Sequence, residues 1–158
     1  MIKMLAIAAM SEPLSVAMHG IERCNPKKGD KALVYGGGII GLCALACLKS
    51  LGIEDVIVTA RNPFRSQKII EMGGILCDTG KTTVPEFVMN KWGKLSGNNG
   101  EDTWNADIVI ETAGYKGVFE EIMTYAKCGS QVNILALGVS QERVTETNIV
   151  CKDISIQG

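Results

Sequence analysis

Three glycines carry the most specific chemistry legible in the chain. In ALVYGGGIIGLCALACLKSLG, Gly36, Gly38 and Gly41 satisfy G-x-G-x-x-G directly after an apolar, strand-like run and directly before an apolar, helix-like one. The first glycine permits a tight turn, the second lets a diphosphate approach the backbone, and the third allows close packing of helix on strand. Exposed amides at Ile39 and Ile40, together with the positive end of the helix dipole, then favour an anion at the loop. Gly37 completes a triplet and is expected only to add flexibility. A glycine turn that merely reverses the chain shares this pattern. The ordered context of strand, loop and helix, with a second strand ending at Ala60, favours a dinucleotide site.

The end of that second strand, VIVTARNP, decides which dinucleotide. An NAD site normally places Asp or Glu here to bind the adenosine ribose hydroxyls. Ala60 occupies the position and Arg61 follows. Without the carboxylate there is no repulsion against a ribose 2′-phosphate, and an arginine pairs with phosphate in a bidentate way. The combination favours NADP over NAD. Arg61 lying over the adenine face or in solvent is the competing reading, and Arg65, one helical turn along, is either a second contact or a solvated side chain.

Other constellations are weaker. The segment GGILCDTGKTT resembles a P-loop, but Ile75 stands where the first glycine of G-x-x-x-x-G-K-[ST] is needed, so phosphoryl transfer is rejected. The six cysteines (24, 43, 47, 77, 128 and 151) form no C-x-x-C pair, and with a single histidine they do not predict a self-contained zinc site. Cys43 and Cys47 lie in an apolar helical stretch, where free cysteine packs as a small hydrophobe. Unpaired thiols fit a reducing compartment, and the cytoplasm is the expected location.

These residues need a frame to hold them. Runs rich in Val and Ile alternate with longer helical patterns, the signature of a parallel α/β sheet covered on both faces. Strands are expected at Ala32–Tyr35, Val56–Thr59, Ile75–Cys77, Asp107–Glu111, Val132–Leu137 and Ile154–Gln157. Helices are expected over Ile39–Leu51, from the Asn62 cap and Pro63 to Gly73 and Gly74, along Val84, Val88, Trp92 and Leu95, and along Val118, Ile122, Tyr125 and Ala126. The polar stretch SGNNGEDTWNA, residues 96–106, reads as a surface loop. MIKMLAIAAM has a short apolar core but reads as the start of a continuous helix rather than a secretory signal.

The 158 residues suit one compact domain, with a leading helical region (1–24) packed on a doubly wound α/β unit (25–158) of Rossmann type and a six-stranded parallel sheet. A formal charge of −1 gives no pull toward nucleic acid or acidic membranes, and no apolar run reaches the 18 or so residues that span a bilayer.

On SEPLSVAMHGIE, KKGDKALVYGGGIIGL, NPFRSQKIIEMGG, DIVIETAG, CGSQVNIL and the closing DISIQG, the chain resembles the cofactor-binding half of the zinc-type medium-chain alcohol and polyol dehydrogenases. The resemblance covers essentially the whole chain. It implies hydride transfer between an alcohol or polyol and NAD(P), with a zinc ion binding substrate oxygen. By position Glu12 matches an acidic residue at or near that zinc, although a carboxylate beside Pro13 is also favoured at a helix N-terminus for its own sake. His19 is expected to be an ordinary helix residue, since no third ligand accompanies it. Complete members carry an upstream catalytic domain and a returning tail. The chain is therefore expected to be an excised or truncated domain that binds cofactor, neither retains zinc nor completes catalysis alone, and works with a catalytic domain.

By analogy with the fold, Thr112, Ala113 and Gly114, and Leu137 and Gly138, are expected to wall the ribose and nicotinamide sites. The last strand is expected to pair edge to edge in a homodimer. A stand-alone, non-catalytic NAD(P)-binding regulatory module is the alternative reading. An S-adenosylmethionine methyltransferase is disfavoured because Tyr35 stands where such enzymes usually place an acid.

Overall fold

The computed structural model describes residues 2–97, 100–138 and 146–158. In chain order the elements are α1 (Ile2–Ala9), α2 (Ser11–Arg23), β1 (Lys31–Tyr35), α3 (Ile39–Ser50), β2 (Asp55–Ala60), α4 (Pro63–Glu71), β3 (Ile75–Asp78), α5 (Val84–Trp92), β4 (Lys94–Ser96), β5 (Asp102–Trp104), β6 (Ile108–Glu111), α6 (Val118–Tyr125), β7 (Gln131–Ile134), α7 (Glu146–Lys152) and β8 (Ser155–Gln157). Six strands form one parallel sheet in the order β3-β2-β1-β6-β7-β8. The order reverses between β1 and β6, and the crevice outside their carboxyl ends is where doubly wound sheets receive ligands.

The strands are apolar on both faces because both are covered. Ala32, Val34, Val56, Val58 and Ile110 pack with Ala17, Ile21, Leu45 and Leu48 of α2 and α3. Leu33, Tyr35, Ile57, Cys77 and Val109 face Val88, Ile122 and Met123 of α5 and α6. This alternation along each strand is the two-residue period of a pleated sheet, and each fully buried aliphatic side chain contributes about 1.5–3 kcal/mol. Cys43 and Cys47 are buried within the first cluster, and burial raises both thiol pKa values, as expected of packing residues.

Local signals set the helix boundaries. Asn62 accepts the Arg65 N–H (3.2 Å) at the start of α4, which is followed by Gly73 at φ 76°. Thr83 accepts the Glu86 N–H (3.4 Å) at the start of α5. Lys152, buried near the end of α7, donates from Nζ to the carbonyls of Met123 (2.9 Å) and Thr124 (2.5 Å), closing the last turn of α6.

Several expectations are corrected. The helix expected to carry Leu95 ends at Trp92, because Gly93 at φ 84° turns the chain out, and Leu95 enters β4. The expected loop 96–106 contains the strand β5, which pairs antiparallel with β4. Its Trp104 is wholly buried, with ring centroids 6.4 Å from Tyr35 and 5.7 Å from Tyr125. Strand β7 stops at Ile134 rather than Leu137: the Leu135 and Ala136 amides both turn onto the Glu111 carbonyl (2.8 and 3.2 Å), and Leu137 is 96% exposed. The leading segment is two helices broken at Met10, not one, and α7 had no counterpart in the expected elements.

Candidate functional site

The glycine loop is held from below by two strands. Gly36 at φ 97° donates its N–H to Thr59 Oγ1 (2.8 Å), and Gly37 donates to the Thr59 carbonyl (2.7 Å). The Thr112 hydroxyl, at the end of β6, donates to the carbonyls of Tyr35 (2.6 Å) and Gly36 (3.0 Å). Below the loop the buried Tyr35 phenol donates to Glu121 Oε1 (2.8 Å), and burial first, then the Glu121 charge, pushes its pKa well up.

The three motif glycines differ in what a side chain would meet. At Gly41 a Cβ would lie 1.8 Å from the Gly36 carbonyl oxygen, so helix α3 touches the loop backbone itself there. At Gly38, with φ −76°, nothing lies within 4 Å. The missing side chain there leaves open space in front of α3, whose first turn has no side-chain cap and whose leading amides lack intrahelical acceptors. Gly37 differs from its expected role. It is buried, its amide is engaged, and a Cβ would meet Ile69 Cδ1 at 2.9 Å, so it fixes the loop rather than loosening it.

Beside the loop lies a cavity of about 430 Å³ bordered by Gly36, Gly37, Ala60, Arg61, Arg65 and Ala113, and also by Thr79 and Tyr115. Both arginines are exposed, and Arg65 also edges an apolar groove of about 670 Å³ between α2, α3 and α4 that reaches Gly38 and Ile39. A smaller cavity of about 190 Å³ sits over the ends of β6 and β7, where Gly114, Ala136 and Gly138 meet Tyr115. Thr112 borders neither cavity and faces the loop carbonyls instead, while the Leu137 side chain projects away from the fold.

Sequence reasoning missed Glu111. Its buried carboxylate accepts the Ala113 N–H (2.6 Å) and the Gly114 N–H (2.8 Å) through Oε1, shaping the turn between the two cavities. An acid closing the otherwise apolar run DIVIE was the available signal. Thr79 and Tyr115 were also missed, and as exposed turn residues they carry no pattern of their own.

Glu12 lies exposed in the first turn of α2 and His19 is exposed further along it. Among the described residues no three His, Cys, Asp or Glu side chains cluster to hold a metal. These residues alone do not fit a zinc site.

Residues 40–158 match the family model described as zinc-binding dehydrogenase. The chain belongs to that family. Across 96% of its length it is 33% identical to an (R,R)-butanediol dehydrogenase of Neisseria gonorrhoeae, covering 40% of that protein. A sorbitol dehydrogenase of Ovis aries is 28% identical over 95% of the chain and 41% of its own length. Among solved structures, the Bacillus subtilis 2R,3R-butanediol dehydrogenase superposes with a TM-score of 0.78 at 27% identity, over 92% of this chain and 39% of that one. An Escherichia coli CFT073 protein described as a short chain alcohol dehydrogenase, complexed with NADH, gives 0.82 at 25% identity, over 96% and 42%. The chain thus spans about two-fifths of the length of these relatives. The chain is a Rossmann-type domain of the zinc-binding dehydrogenases, with the sheet order β3-β2-β1-β6-β7-β8 and the glycine loop at the start of α3. No helix among the described residues is long and apolar enough to cross a membrane.

Proposed function

We propose that the chain is the NAD(P)-binding unit of a zinc-dependent alcohol or polyol dehydrogenase and that it favours NADP. The open space at Gly38, in front of the uncapped first turn of α3, carries the reading: it offers backbone amides and the positive helix end to a diphosphate with no side chain in the way. Arg61 and Arg65, facing one cavity beside an alanine where an acid would select ribose hydroxyls, support the preference for a 2′-phosphate. The relative complexed with NADH supports the cofactor class.

When bound, NAD(P) supplies the nicotinamide that exchanges hydride with the substrate carbon. In this reading the first turn of α3 holds the diphosphate, the arginines hold the adenosine end, and the turn at Ala113 and Gly114, pinned by Glu111, borders the nicotinamide half. Gly138, beyond the end of β7, borders that half, and Leu137 beside it offers its backbone rather than its outward side chain. Glu12 is offered as one acidic residue near the zinc of a complete catalytic site, with the remaining ligands supplied outside the described residues. Catalysis in this reading needs a catalytic domain, the substrate is a small alcohol or polyol, and the location is cytoplasmic. Among the described residues strand β8 pairs with β7 alone, and in this reading its other edge serves a homodimer.

Calorimetric titration of the chain with NADPH and NADH at one ionic strength tests the reading. NADPH is expected to bind more tightly, with the difference abolished by Arg61→Ala. Failure to bind either nucleotide refutes it.

A further inference from the structure

Asp78 closes β3 in register with Ala60, the position that lacks the ribose-binding acid. Thr79 extends the ladder by donating its N–H to the Ala60 carbonyl (3.1 Å), and it borders the Arg61–Arg65 cavity. A carbon built on Gly80 would lie 3.2 Å from Asp78 Oδ1 and 3.5 Å from Arg61 Cγ. A single carbon position therefore touches both the carboxylate and the arginine stem. The neighbouring strand thus carries, one residue before the cavity-lining Thr79, the negative charge that β2 omits.

That charge is engaged within its own turn. Asp78 Oδ1 accepts the Gly80 N–H (3.0 Å), Oδ2 lies 3.1 Å from Lys81 Nζ, and the Asp78 carbonyl takes the amides of Lys81 (2.9 Å) and Thr82 (3.2 Å). The Gly80 amide first, and then Lys81, hold the Asp78 carboxyl below its ordinary range, so it is ionised at neutral pH. An ionised carboxylate here without a counter-ion would repel a dianionic phosphate and compete with it for the Arg61 guanidinium.

We propose that Lys81 is a cofactor-specificity residue acting through Asp78: the ion pair masks the carboxylate beside the Arg61–Arg65 cavity and keeps that cavity selective for a ribose 2′-phosphate. The inference rests on the NADP reading above and adds the element that decides it. With the lysine removed, the acid on β3 takes over the part that an acid on β2 plays elsewhere, and the cavity turns toward ribose hydroxyls.

The test titrates the full 158-residue chain at low salt with 2′,5′-ADP and 5′-AMP, which differ only in the phosphate at issue. Lys81→Ala is expected to weaken 2′,5′-ADP about three- to tenfold, as for one unscreened charge near a dianion, while 5′-AMP binding holds or tightens. Adding Asp78→Asn, which keeps the acceptor for the Gly80 amide, is expected to restore the 2′,5′-ADP affinity. No recovery in the double variant means that Lys81 touches the phosphate itself and overturns the mask. An unaltered chain that prefers 2′,5′-ADP, with Lys81→Ala leaving the preference intact, overturns the mask and leaves the NADP reading standing. No preference in the unaltered chain overturns both. Lys81 is 82% exposed, so thermal melts of Lys81→Ala are expected to match those of the unaltered chain.

Discussion

Replacing Gly38 and Gly41 separately by alanine divides the motif into its two physical roles. At Gly41 the added carbon would sit 1.8 Å from the Gly36 carbonyl oxygen, well inside the 3.0 Å that real contacts respect, so helix and loop must part by more than 1 Å. Overpacking of this kind costs about 1–3 kcal/mol. Losing the Thr112–Gly36 hydrogen bond adds about 1 kcal/mol. At roughly 2–4 °C per kcal/mol for a chain of this size, Gly41→Ala is expected to lower Tm by about 4–16 °C. At Gly38 the same carbon meets nothing within 4 Å at an ordinary φ of −76°, so the stability change is expected to stay within about 1 kcal/mol. The carbon nevertheless occupies the space assigned to the diphosphate. Dinucleotide affinity is expected to fall tenfold or more, about 1.4 kcal/mol. Differential scanning calorimetry and titration with NADPH read the two effects separately. A Gly38→Ala chain that melts normally and binds NADPH as tightly as the unaltered one would refute the placement of the ligand.

Burial and packing set four further outcomes. Cys128 and Cys151 are exposed and the other four thiols buried, so a thiol reagent is expected to label two cysteines quickly and four only on unfolding, as mass spectrometry would count. Burial pushes Cys24 and Cys77 from 9.0 up to about 12, so unfolded chains release those protons first. Stability held below pH 9 is then expected to decline as pH rises toward 12 in chemical denaturation series. Gly20→Ala would place a carbon 2.4 Å from Asn133 Oδ1 beneath α2, and a loss of about 1–3 kcal/mol is expected by denaturant titration. Lys152→Met removes the donor that closes α6 and is expected to cost about 1–3 kcal/mol, with the loss visible as a lowered denaturant midpoint.

The sheet was legible because covered parallel strands must be apolar on both faces, and six Val- and Ile-rich runs said so. The glycine loop was legible because turn, approach and packing each demand glycine at a fixed spacing. What escaped depended on contacts distant in sequence. Trp104 is flanked by Thr103 and Asn105 and reads as loop, yet it fills the gap between Tyr35 and Tyr125, which no local pattern reveals. Gly37 reads as spare flexibility until Ile69 is placed against it. Glu111 reads as a strand end, and its task is defined only by two backbone amides beyond it. Asp78 and Lys81 were part of a rejected P-loop match, and their relation to Arg61 emerges only from the β2–β3 register.

The wiring of the loop bears on how a ligand is received. Thr59 holds two loop amides, Thr112 holds two carbonyls on the other side, and Gly41 presses α3 against the backbone between them. A receptor braced on three sides has little conformational freedom left to surrender when its guest arrives. Its occupation is expected to resemble a rigid docking: a single kinetic phase whose rate rises linearly with nucleotide concentration, and a heat-capacity change no larger than the apolar surface covered by the ligand itself.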